Sequence, residues 1–189
     1  MKKKNKVIVI CGVSGAGKTF LISSALNRFT NLKKLTAITT RPKRQRETSA
    51  DGKRFVDDIE FENLYNQGRL FIVNTVFGYK YAFDTQEYGS LIQHSHIILE
   101  LKLSDLHQMK EICEAMFVIY VYPQTPELAV QYISDRNTAD LRLKDLRQEL
   151  LALKNKDMPN SDLINTMFCN DFDSSSVNAF ISIVENVIL

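Results

Sequence analysis

No tryptophan occurs in this sequence, so any aromatic stacking must come from its 11 phenylalanines or 7 tyrosines. Cysteine is scarce: Cys11, Cys113 and Cys169 are odd in number, far apart and without a Cys-x-x-Cys pair. That argues against a disulfide framework or a cysteine zinc site and suits buried free thiols in a reducing compartment. Long hydrophobic runs are missing. The basic start Met1 to Lys6 is followed only by Val7 to Cys11 before glycine intervenes, too short for a signal-peptide core or a membrane span. The expected address is cytoplasmic, with no membrane attachment. Neither sign of charge dominates: 24 Lys and Arg against 22 Asp and Glu give a net charge of +2. A basic coat for nucleic acid is therefore not indicated. His94, His96 and His107 have no third ligand nearby in sequence, so no histidine metal site is expected.

What is present is enough for a core. Apolar residues make up 44 % of 189, and charged residues an ordinary 24 %, which suits one mid-sized domain or one domain with inserted lobes. Val7 to Cys11 is a continuous β-branched run, the pattern of a strand buried on both faces of a parallel sheet. Gly12 to Gly17 breaks it, and Lys18 to Phe29 carries apolar residues at helical spacing. Leu35 to Thr39 predicts a second strand. Arg41 to Arg46 is basic loop, Ile59 to Tyr65 a short helix, and Leu70 to Val76 with Tyr79 to Phe83 two strands about a turn at Gly78. This middle portion predicts an inserted small lobe. An α/β rhythm then resumes: a helix from Thr85, a strand at Ile97 to Leu101, a helix capped by Ser104, and a strand at Met116 to Tyr122. A helix opened by Thr125-Pro126 follows, then a leucine-rich helix at Leu141 to Leu153 that packs on the sheet. A short strand at Met167 to Cys169 and a helix from Val177 end the chain.

Gly12-Val13-Ser14-Gly15-Ala16-Gly17-Lys18-Thr19 has the spacing G-x-x-x-x-G-K-[ST], after a buried strand and at the opening of a helix. Glycine lets backbone approach phosphate oxygens closely, and successive N–H groups at a helix N-terminus face the anion. Lys18 reaches the β- and γ-phosphates, and the Thr19 hydroxyl can ligate Mg²⁺. A nucleoside triphosphate site, with ATP and Mg²⁺ as ligands, is the expectation.

Further stretches occur in a telling order. Thr39-Thr40-Arg41-Pro42-Lys43-Arg44, then Asp51-Gly52-Lys53, Phe55-Val56, Glu60-Phe61 and Phe77-Gly78 with Tyr81 follow one another; Arg136-Asn137-Thr138 and Asn170-Asp171-Phe172-Asp173 come later. With the glycine loop, this series resembles the guanylate kinases over nearly the whole chain. The resemblance implies an α/β P-loop three-layer sandwich with a central parallel sheet, an inserted small acceptor-binding lobe and a helical lid. The core would take residues 1–40 and 84–189, with the lid at about 134–147, and the acceptor lobe 41–83. It implies that Arg41, Arg44 and Tyr81 bind the acceptor phosphate, that Arg136 and Arg147 close on the donor phosphates, and that Asn170 lies near the adenine.

The departures from the family pattern gather where guanine would be read. A serine becomes Ala37, the base-pairing glutamate Ile72, and a Ser/Thr base contact Phe83, while an acid-x-acid pair becomes Glu100-Leu101-Lys102. Isoleucine accepts no hydrogen bond, and each buried donor left unpaired costs roughly 1–3 kcal/mol. Three readings stay open at this point. One is a kinase moving the γ-phosphate of ATP to a nucleoside monophosphate, GMP by family default. The second is a kinase of the same fold for another phosphorylated small molecule, such as ribose 1,5-bisphosphate. The third is a non-catalytic binding module, against which the intact glycine loop counts. In each, the partner is a small phosphorylated molecule rather than nucleic acid.

Overall fold

A computed structural model describes residues 4–43, 47, 52–113, 115–134 and 139–189. Its centre is β1 (Val7–Gly12), whose residues from Val7 to Cys11 are fully buried although their side chains alternate between faces. Both faces of the strand are therefore covered, as its β-branched run requires. β7 (His96–Glu100) pairs with β1 on one side and β8 (Met116–Pro123) on the other. β2 (Leu32–Lys34) and β9 (Thr166–Asn170) complete a five-stranded, all-parallel sheet in the order β2-β7-β1-β8-β9. The order reverses at β1, so the crevice beyond its carboxyl end is where such sheets take ligands.

α1 (Lys18–Arg28) leaves that crevice and packs against α7 (Ser174–Ile188). α7 buries Ser176, Phe180, Val184 and Ile188, a stripe of four-residue steps, and opens on Asp173, whose carboxylate accepts from the Ser176 N–H at 2.7 Å. α5 (Pro126–Ser134) and α6 (Ala139–Asn155) pack on each other. No helix among the described residues is long and apolar enough to cross a membrane.

A second sheet has four strands in the order β4-β3-β6-β5: β3 (Ala37–Thr39), β4 (Lys53–Phe55), β5 (Leu70–Val76) and β6 (Tyr79–Asp84). α2 (Asp58–Asn66) covers one of its faces, burying Phe61 and Leu64 on Ile38 and Ala82. α3 (Thr85–His94), begun by the Asp84 carboxylate, returns the chain to the large sheet.

The strand predicted over Leu35 to Thr39 forms only over Ala37–Thr39, in the small sheet; the chain pairs in the large sheet up to Lys34, and Leu35 keeps one backbone bond to Ile98 there. Lys53–Phe55 is a strand despite its charged sequence, because it lies at the edge of the small sheet. Ser104 caps nothing: a 3₁₀ turn over Leu103–Asp105 leads into α4 (Leu106–Ile112), and the Ser104 hydroxyl donates to the Asp105 carboxylate at 2.9 Å.

Candidate active site

The loop after β1 is shaped by three positive-φ glycines, and here glycine is a requirement. A Cβ on Gly12, at φ +136°, would lie 1.9 Å from the Val121 carbonyl oxygen; on Gly15 it would lie 2.5 Å from that of Ala129. On Gly17 it would lie 2.6 Å from Asn170 Nδ2. The loop is thus seated directly on β8, α5 and the end of β9. Asn170, almost fully buried, donates from Nδ2 to the Ala16 carbonyl at 2.9 Å and accepts from the Phe172 N–H at 3.1 Å. Both halves of its amide hold backbone, so it acts as a strut beneath the loop.

Lys18 opens α1 and folds back, donating to the carbonyls of Gly12 at 2.8 Å and Val13 at 2.9 Å. Its ammonium lies 3.6 Å from the Glu100 carboxylate, at the end of β7. Thr19 is exposed on the first turn of α1. A hydroxyl there, with the Glu100 carboxylate nearby, is an oxygen donor of the kind Mg²⁺ takes. No cluster of three His, Cys, Asp or Glu side chains suited to a metal occurs among the described residues.

α6 is fastened to the same loop. The Glu149 carboxylate accepts from the Ser14 N–H at 2.9 Å, and Arg142 donates to the Ser14 hydroxyl at 3.4 Å. Burial raises the Glu149 carboxyl above its ordinary range, while the Ser14 N–H and Lys18 pull it back. Arg142 also lies 5.0 Å over the Phe77 ring, and Lys102 5.9 Å over the same ring, so the small sheet's turn meets α6 and the end of β7 at one aromatic side chain.

Residues 142 and 149 are seven apart and share a helix face; residue 147 lies about 140° round from 142. Arg147 is accordingly exposed, on an outer groove with Asp140, Leu143, Lys144 and Gln148. The arginine that reaches the loop is Arg142, which sequence spacing passed over, and not Arg147. A sequence signal existed: the apolar positions of α6 fix which side faces in. Only Leu146 is fully buried on α6, and Leu141 and Leu151 stay exposed. Arg136 and Arg44 lie outside the described residues.

The small sheet turns a composite face toward the crevice. Phe71, Phe83 and Ala37 stand opposite one another on β5, β6 and β3, and so do Asn74, Tyr81 and Thr39; cross-strand partners share a face. The first row is apolar. Phe83 and Ile72 are each 5 % exposed and belong to the main core, and Phe71 packs on Phe83 and Tyr88 with ring centroids 5.7 Å apart. Burial, with a hydrogen bond to Cys113, pushes the Tyr88 phenol up to about 12. Ala37, Ile72 and Phe83 are therefore brought together as packed core. The second row is polar, and Arg41 adjoins it through its backbone N–H, which donates to the Thr39 hydroxyl at 3.1 Å. The Arg41 guanidinium is 8 % exposed and 5.3 Å over the Phe55 ring; one terminal nitrogen donates to both Glu47 oxygens at 2.7 and 2.8 Å, and the other donates to the Pro42 carbonyl at 2.8 Å.

The large sheet thus carries a nucleotide-type glycine loop with a lysine and an arginine on it, and the small sheet carries a buried arginine and a tyrosine beside Thr39. The profile of the guanylate kinase family matches residues 4–177. The chain belongs to that family. Guanylate kinase of Neisseria gonorrhoeae is 26 % identical over 170 residues, covering 89 % of this chain and 82 % of the relative. That of Thermotoga maritima is 30 % identical over 156 residues, covering 79 % and 75 %. Guanylate kinase of Chlorobium chlorochromatii aligns over all of this chain and 98 % of its own length at 26 % identity. The crystal structure of guanylate kinase from Anaplasma phagocytophilum superposes on all of this chain and 89 % of that one, with TM-score 0.74 at 19 % identity, which establishes the shared fold. Membership makes this guanylate kinase relative a nucleoside monophosphate kinase, and neither a sugar-phosphate kinase nor a binding module finds support among the relatives named.

Proposed function

We propose that this chain transfers the γ-phosphate of ATP to a nucleoside monophosphate, with GMP as the acceptor expected of its family. The observation that carries the proposal is the intact glycine loop after β1, with Lys18 on its carbonyls and Arg142 on Ser14; Arg41 and Tyr81, both beside Thr39 on the small sheet, are proposed as its counterpart for the acceptor. In this reading the loop N–H groups and the positive end of α1 hold the donor phosphates. Lys18 gives up the Gly12 and Val13 carbonyls to reach the β- and γ-oxygens. Thr19 would hold Mg²⁺, which when bound would offset the negative charge of the donor phosphates. Arg41 exchanges part of its Glu47 pairing for the acceptor phosphate, with the Tyr81 hydroxyl as a second donor; Arg44 is proposed for the same group.

The acceptor phosphate oxygen attacks in line. It is already anionic, so no general base is needed, and catalysis rests on positioning and charge. Arg142 takes the place proposed from sequence for Arg147, beside the transferring phosphoryl group, and Arg136 is proposed to join it when the lid closes and excludes water. Asn170 contributes by supporting the loop. The test is ATP- and Mg²⁺-dependent transfer by the purified chain across GMP, dGMP, IMP, AMP, CMP, UMP and dTMP. Turnover with GMP is expected; ATP binding without turnover on any monophosphate would overturn the reading.

A further inference from the structure

Position 72 cannot read a base, yet the same strand carries a polar side chain two residues on. Between Phe71 and Asn74, β5 slips its register against β6, and Ile72 sits at φ +50°. A β-branched residue in that region is a genuine outlier, and bulges of this kind re-aim side chains beside functional sites. Here the bulge sends Ile72 into the main core and sets Asn74 opposite Tyr81 on the crevice face. Asn74 Nδ2 donates to the Asp105 carboxylate, whose other oxygen accepts from Ser104 at 2.9 Å. The Asn74 amide oxygen is buried and has no hydrogen-bond partner among the described residues.

An orphaned acceptor of this kind costs free energy unless a donor reaches it. The Asp105 carboxylate fixes which way the amide points, because only the NH₂ side can face an anion. The oxygen is left for a donor arriving on the crevice side, one cross-strand position from the proposed phosphate ligand Tyr81. A monophosphate gripped at Tyr81 and Arg41 would extend its base along this face toward the apolar row of Phe71 and Phe83. We infer that Asn74, held by Asp105, is the acceptor-reading residue of this chain, taking an N–H donor of the acceptor's base on its free amide oxygen. This inference rests on the proposed function. It puts the reading of the base at position 74 and not 72, and GMP, the acceptor of the proposed function, offers such N–H donors in its ring N–H and exocyclic amine.

The experiment compares the unaltered chain with Asn74→Leu and Asp105→Asn in steady-state transfer from ATP to GMP and to IMP, which lacks the exocyclic amine. GMP binding is measured alongside by calorimetry. Losing the acceptor should raise the KM for GMP about ten- to a hundredfold in Asn74→Leu, with the KM for ATP unchanged as proof of fold. Asp105→Asn, which unlocks the amide, should give a smaller rise, and the preference for GMP over IMP should shrink in both. Normal turnover with unchanged GMP KM and GMP/IMP ratio in Asn74→Leu would overturn the inference, a structural water then filling the role, and leave the function standing. No turnover in the unaltered chain would overturn the function; GMP binding lost in Asn74→Leu would still support the inference, and binding retained would overturn both.

Discussion

The two walls of the crevice are made of different material. On the proposed donor wall the groups offered to a ligand are backbone amides, held by close backbone contacts of Gly12 with Val121 and Gly15 with Ala129 and by two side chains, Asn170 on the Ala16 carbonyl and Glu149 on the Ser14 N–H. On the acceptor wall they are side chains: Arg41 on Glu47, Tyr81 in register with Thr39 and Asn74, Asn74 on Asp105. A backbone site tolerates few changes, since its geometry is the fold. A side-chain site can be rewritten residue by residue while the strands stay where they are. In this chain the proposed donor wall carries an intact glycine-loop motif, and on the proposed acceptor wall Ile72 and Phe83 belong to the core.

The largest expected effect is that of removing the one side chain essential to the donor wall. Lys18→Ala should lower the transfer rate by about 10²–10³-fold or more, with the fold intact by circular dichroism; retained turnover would break the contrast. Next is a change to the donor wall's backbone. Gly12→Ala forces a Cβ onto the Val121 carbonyl and should cost about 2–4 kcal/mol in urea unfolding, against about 1–2 kcal/mol for Gly78→Ala as a spatial control, since a Cβ there meets nothing within 4 Å and bears only the strain of its positive φ. The third change sharpens the contrast on α6. Arg142→Ala should reduce kcat about ten- to a hundredfold, and Arg147→Ala should stay within about twofold; the reverse order would restore the sequence-based assignment.

The smallest effect is that of pH on Glu149. Burial raises its carboxyl above the ordinary 4.5. The folded chain therefore binds that proton more tightly than the unfolded one, and this contribution to stability is full below 4.5 and lost as pH rises through the raised value. Glu149→Gln should remove that downward slope from a plot of unfolding free energy against pH; an unchanged slope would assign the titration elsewhere.

The glycine loop could be read from the sequence because spacing along the chain is itself the geometry there: a strand to Gly12, five residues of loop, and a helix that starts at the lysine. The central sheet was legible for the same reason, as β-branched runs such as Val7 to Cys11 pair in parallel. The acceptor wall hid its contents because they depend on register. Nothing in Leu70 to Val76 announces a bulge at Ile72, and without it Asn74 cannot be placed opposite Tyr81. Arg142 was missed through helix phase, and the strand expected over Leu35 to Thr39 was cut short at its start because an apolar run carries no mark of which sheet it joins.

The crossing from one sheet to the other sets how the acceptor wall can move. The chain enters the small sheet through Leu35 and Thr36 and leaves it through Asp84 and Thr85, and the two crossings are pinned together: Thr36 donates to the Glu87 carboxylate through its hydroxyl at 2.6 Å and its N–H at 3.3 Å. The small sheet is held besides by Phe71, Phe83 and Ala37 packed on the core, by Asn74 on Asp105 and by Phe77 under Arg142, so any rotation about the two crossings has first to break those last two contacts, which lie toward the Phe77–Gly78 end of the hairpin.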